Sequence, residues 1–267
     1  MFSSLLKPQA ILDEESIIWI FDTYAWALRN FDAEVFYNES ILVTPSNEHF
    51  PGRENSVHGM ASLIFDKVCL YAGVSHWPFY LINEKEYLKV ETPKIRIQGA
   101  LRGVKGIASE TIDEDNRLTV TYNAHLLNDP EVMIGHYAHT LAHYLGSMAQ
   151  EPPPGGVENW PHITELLAVF MGFGIMMANS AYTNKVRSCG SCAGPIVERS
   201  NFLSQYDITY ALAIYCHLKN IPLKSVKPYL KKSLLPYFKK AQKDAERRIK
   251  NDKSLPQLSL AQLELKS

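Results

Sequence analysis

Three histidines stand within eight residues in the run GHYAHTLAHYLG, residues 135–146: His136, His139 and His143. On an α-helix, with its ~100° step per residue, they project within about 60° of one another. His139 and His143, four apart, lie one above the other, so two imidazole nitrogens can reach a single ion. This is the physical reason that H-x-x-x-H recurs at zinc sites. In a chain with nine histidines the spacing alone is a weak signal. Histidines at the core boundary of an amphipathic helix give the same pattern.

A second helical run, HITELLAVF, strengthens it. Its Glu165 falls 22 residues after His143. A zinc site of the two-His, one-Glu type takes its third ligand from a following helix of this sort. A carboxylate entering so apolar a segment is costly unless it is paired or metal-bound. A first-turn glutamate favoured by the helix dipole, or one paired with His162 three residues earlier, gives the same sequence. Together the two runs predict one Zn²⁺ site with His139, His143 and Glu165 as ligands. His136 and His162 stand by as supporting or replacement groups.

The run NDPEVMIGHYAHTLAHYLG, followed by ITELLAVFMGFGIMMANSAY, resembles the zincin metallopeptidases of the glutamate-ligand kind. It is more particularly similar to a group of bacterial HExxH-containing proteins in which a "TDL-or-TEL-lavF-GfG" helix follows the motif helix. The likeness covers mainly residues 128–182 and extends weakly into the tryptophan-rich N-terminal helix and the YALAIY helix. It implies a zincin-like α+β fold with an antiparallel sheet beside the histidine-bearing helix. It makes His139 and His143 the motif histidines and Glu165 the third ligand.

The departure from that pattern is Thr140, which stands where zincins carry a glutamate. That glutamate takes a proton from metal-bound water and passes it to the leaving amine. Threonine has no accessible pKa for this work, and losing a general base costs about 10²–10⁴ in rate. Three readings follow. The protein binds metal without efficient peptidase activity; or it uses another base, with His136, Glu158 and Glu151 as candidates; or it is a non-catalytic interaction or regulatory protein on a zincin scaffold without metal. A protein or peptide ligand in the cleft is the partner this scaffold suggests.

These residues need elements to hold them. SIIWIFDTYAWALRNF (16–31) has helical spacing, with Asp13 or Ser16 as cap. EVFYNESILVTP (34–45) alternates like short strands about a turn, and SVHGMASLIFDKVCLYAG (56–73) is helical, ending at Gly73 as a C′ glycine. Strand character marks 78–84, 94–103 and 117–127, with a polar hairpin turn at 111–117. Asp129 and Pro130 fit the cap and first position of the histidine helix. Residues 162–182 read as one continuous buried helix, with Gly172 and Gly174 allowing close packing. Residues 203–220 are amphipathic, and 224–252 form a basic helical tail interrupted at Pro228 and Pro236. Strands followed by helices indicate one α+β domain over 1–267: helices plus sheet over 1–128, a helical part with the metal site over 129–252, and a tail over 253–267.

Composition bounds the rest. The chain has 267 residues, of which 46% are apolar and 21% charged, and its net charge is −1. These values fit a soluble globular protein and give no global pull toward nucleic acid or membrane. The apolar run 166–181 is shorter than the ~20 residues of a membrane span and reads as a core helix. No signal-peptide pattern opens the chain, and four cysteines make no disulfide scaffold; both point to a cytoplasmic setting. Cys189 and Cys192 form a C-x-x-C flanked by glycines, with no βαβ unit before it and no second C-x-x-C after it; two loop cysteines are the simplest reading. The basic tail could face RNA or a lipid headgroup. Its interleaved Tyr229, Tyr237 and Phe238 favour a helix docked on the core with a solvated basic face, and no nucleic-acid partner is expected.

Overall fold

The computed structural model describes residues 11–87, 97–107, 117–181 and 202–251. Helix α1 (Glu14–Asn30) starts where Asp13 accepts the Ser16 N–H at 2.8 Å, and it buries Ile17, Ile20, Tyr24 and Leu28 on one face. The next segment departs from the strand reading. Residues Ala33–Asn38 form a short helix, α2, capped by Asp32, whose side chain accepts the Glu34 and Val35 N–H groups. Tertiary packing overrides the alternation: Phe36 is fully buried and stacks on Phe170 with ring centroids 4.6 Å apart. Helix α3 (Val57–Ala72) is capped by Ser56 and ends at Gly73, whose φ of 75° is the left-handed C′ geometry expected of it.

Strands β1 (Phe79–Asn83) and β4 (Leu118–Tyr122) pair in register Phe79↔Leu118 through Asn83↔Tyr122. They run parallel, which corrects the expectation of an antiparallel sheet beside the histidine helix. The reason lies in the connection: β1 and β4 are separated by a long excursion, which a parallel pair requires and a hairpin does not. Antiparallel pairing does occur between the two-residue strands β2 (Gln98–Gly99) and β3 (Gly106–Ile107). Nearly all of the 111–117 hairpin turn lies outside the described residues, as do Cys189 and Cys192.

Helix α4 (Pro130–Gly146) has Pro130 in its first turn and Asp129 as its cap, as the sequence indicates. It lies beside β4, and the Tyr144 hydroxyl donates to the Thr119 carbonyl at 2.7 Å. Helix α5 (Trp160–Ala168) packs on α4, where Trp160 and Leu167 close over Gly146. The long buried helix expected over 162–182 is broken. A π-turn (Val169–Phe173) separates α5 from α6 (Gly174–Ser180), because Gly172 has a φ of 104°. Its carbonyl accepts the Val43 N–H at 3.0 Å, and a Cβ at 172 would lie 2.1 Å from the Ile41 carbonyl oxygen. Gly174, by contrast, serves close packing as expected, with Leu212 against it.

Residues 157–180 are by length and composition apolar enough to cross a membrane, and their apolar window is wholly buried inside the protein. Helix α7 (Gln205–Leu218) opens with a capping box between Ser204 and Asp207. A short helix, α8 (Leu223–Val226), precedes α9 (Leu235–Asn251), which buries Phe238, Ala241 and Ala245. A contiguous apolar cluster runs from α1 through α9. The described residues mix helices with two small two-stranded sheets, compatible with an α+β fold, and the C-terminal half is mostly helical.

Candidate site on the histidine helix

Helix α4 presents its three histidines differently. His136 and His139 are half-buried and His143 is exposed. The Nε2 of His136 lies 3.2 Å from the Thr121 carbonyl oxygen. A carbonyl only accepts, so Nε2 carries the proton and its ring is tied to β4. His143 sits at the last turn, its ring edge-on to Trp160 at 6.5 Å between centroids.

Thr140 does not mimic the missing base. Its hydroxyl donates to the His136 carbonyl at 3.1 Å, a back-bond into the preceding helical turn. The alternative bases fall elsewhere. Glu151 is paired with Arg29 at 3.0 Å, and Glu158 is exposed on the turn Val157–Asn159 ahead of α5.

Glu165 is 1% exposed in the second turn of α5. Its Oε2 accepts the Leu203 N–H at 2.9 Å, just before the cap of α7. His162 Nδ1 is buried and has no hydrogen-bond partner. The ring of His162 stands edge-on between Trp19, at 6.3 Å, and Phe202, at 5.6 Å. An imidazole nitrogen kept from water with no hydrogen-bond partner is an unsatisfied polar group in an aromatic surround. Glu165 and His162 are thus one turn apart on the helix that packs against α4. Among the described residues, no three His, Cys, Asp or Glu side chains gather into a group that could hold an ion.

Other polar groups lean on this helix pair without having been singled out. Glu131, in the first turn of α4, is bonded by Asn179 Nδ2 of α6; burial raises its pKa, and that bond works against the rise. Asn179 also donates to the Tyr229 carbonyl and accepts the Lys231 N–H at 2.9 Å, so it joins α4, α6 and the α8–α9 connection. A lone asparagine in an apolar helix was the available signal. The thiols of Cys69 and Cys216 are buried and free, and burial pushes both well above the usual thiol range.

Among the described residues, two surface clefts stand out, and neither is lined by His139, His143 or Glu165. One, of about 480 Å³, lies between α3 and β1 with His58, Asp66, Trp77 and Tyr80 on its walls. The other, of about 470 Å³, lies between the end of α7 and α9 and is lined by His217, Asn220, Lys239 and Lys243. No protein-family model, curated protein or solved structure matches this chain.

Proposed function

We propose that the protein is a zincin-like metal-binding protein that holds one Zn²⁺ between α4 and α5 and is not an efficient peptidase. The observation that carries this reading is the buried, partnerless Nδ1 of His162, one turn from the buried carboxylate of Glu165 on the helix packed against the histidine helix. Imidazole nitrogen and carboxylate oxygen are the donors Zn²⁺ takes. His139, His143 and Glu165 are the ligands of this reading, and His162 is the replacement ligand. Bound Zn²⁺ supplies a Lewis acid that lowers the pKa of water. In this reading position 140 supplies no general base, and its hydroxyl donates to the His136 carbonyl.

The test is elemental analysis of the purified protein together with His143→Ala, His162→Ala and Glu165→Gln. Near-equimolar zinc in the wild type, lost in Glu165→Gln and in at least one histidine variant, is the expected outcome. Sub-stoichiometric zinc, unchanged in all three, overturns the proposal.

One observation favours a second reading, a metal-free interaction protein on the same scaffold. The Glu165 carboxylate already accepts the Leu203 N–H, so it has a structural role that needs no ion. Wild-type protein free of zinc, with stability unaffected by a chelator, selects this reading.

A further inference from the structure

Between Lys219 and Asn251 the chain carries eleven basic residues against two acidic ones, although the whole protein has a net charge of −1. An ordinary solvated face intersperses both signs. Here they are segregated. The seven lysines from Lys224 to Lys243 are all exposed, and none makes an ion pair among the described residues. The two acidic groups of the segment are already engaged, Asp244 by Arg247 and Arg248, and Glu246 by Lys250.

Helix α9 arranges part of this charge in a stripe. Phe238, Ala241 and Ala245 point to the core, so at ~100° per residue Lys239, Lys240, Lys243, Arg247 and Lys250 share the opposite face. Lys239 and Lys243 overhang the cleft of about 470 Å³ whose other wall includes Leu223, next to the exposed Lys224. The interleaved aromatic residues are withdrawn from this surface. Phe238 is buried, while Tyr237 is half-buried with its hydroxyl donating to the Ile11 carbonyl at 3.3 Å.

We propose that the lysine face of α8 and α9 docks reversibly on an anionic lipid bilayer. Charge complementarity points to a polyanion. The chemistry of the face separates a lipid surface from a nucleic acid: Arg247, the exposed arginine of the stripe, is held by Asp244, and the aromatic rings that would stack on bases are turned inward. What is left is a set of unpaired ammonium point charges, which suits a fluid array of headgroups. Each lysine brought to such a surface strengthens binding by about fivefold.

The test is co-sedimentation of the full chain with phosphatidylcholine vesicles that contain, or lack, about a third phosphatidylserine. Binding is expected only to the anionic vesicles, and it should be lost as salt rises from about 0.1 M to about 0.5 M. The triple variant Lys239→Glu, Lys240→Glu, Lys243→Glu should lower the partition coefficient by more than about a hundredfold. Its far-UV circular dichroism should be unchanged, since all three side chains are exposed. Equal binding of the variant, or binding of single-stranded RNA without any of vesicles, overturns the proposal. So does the absence of binding to anionic vesicles at low salt.

Discussion

The backbone N–H of Leu203 is bonded to Glu165 Oε2 at 2.9 Å, so a carboxylate 1% exposed in α5 is fastened to the residue that precedes the cap of α7. The bond separates structure from chemistry at one side chain. Glu165→Gln keeps an acceptor oxygen for Leu203 and should change stability little. Glu165→Ala strands a buried N–H and should cost about 1–3 kcal/mol in urea denaturation. Both remove the ligand that Zn²⁺ would need, so equal loss of zinc with unequal loss of stability is the expected pattern.

Thr140 is the second lever. Thr140→Glu, loaded with zinc, places a general base beside His139 and should raise peptidase activity by about 10²–10⁴ over the wild type. The measurement is hydrolysis of a quenched fluorescent peptide, with Thr140→Gln as the isosteric control. A zinc-loaded Thr140→Glu no faster than Thr140→Gln would show that the missing base is not what limits hydrolysis.

Gly172 answers to backbone geometry alone. Its φ of 104° and the carbonyl of Ile41, 2.1 Å from where a Cβ would sit, leave no room for any other residue. Gly172→Ala should lower stability by at least about 2 kcal/mol, with a clear drop in the thermal midpoint. A neutral result would mean that the break between α5 and α6 is not there in solution.

Arg102 tests how the segment after β2 is anchored. Its side chain is fully buried, and burial lowers its pKa to about 10. It donates to the Ala72 carbonyl at 2.9 Å and to Ser40 Oγ at 3.0 Å, and lies 5.5 Å from the Phe170 ring centroid. Arg102→Ala removes two charge-assisted bonds and leaves a void, so a loss of about 3 kcal/mol is expected. Arg102→Met refills the volume and should recover part of it.

Asp244 sets an acid limit on the attachment of α9. Partial burial raises its pKa, but hydrogen bonds from Arg248 at 2.7 Å and Tyr210 at 2.8 Å outweigh that and bring it below 3.8. A carboxylate with a depressed folded pKa contributes stability that is complete above its unfolded value and lost as pH falls through the folded one. Denaturation midpoints should therefore drop below about pH 4. Asp244→Asn should be less stable at neutral pH and show a shallower acid limb.

The local signals were legible where one residue decides the geometry. Asp13, Gly73, Asp129 and Pro130 announce helix ends by cap chemistry, and each stands at the boundary it implies. Residues 34–45 misled because Phe36 and Val43 alternate like a strand, while their placement is decided by Phe170 and Gly172, far away in sequence. The same limit applies at the site. Spacing put three histidines on α4 and placed Glu165 on the next helix. It could not foresee that Thr140 would bond back to His136, that Leu203 would reach Glu165, or that Nδ1 of His162 would lie buried without a partner. Periodicity reports which face is apolar; it carries no information on which backbone group arrives opposite a side chain.

The parallel register that joins Phe79 to Leu118 also bears on how the chain reaches its native state. A hairpin can zip from its turn, whereas these strands must be brought together across the whole intervening excursion before the first ladder bond forms. That closure entropy precedes any reward from pairing. Since Tyr144 of α4 bonds to Thr119 of β4, the histidine helix rests on a strand pair whose closure carries that entropic cost. The placement of the α4 histidines therefore depends on two strands that meet only across a long separation in sequence.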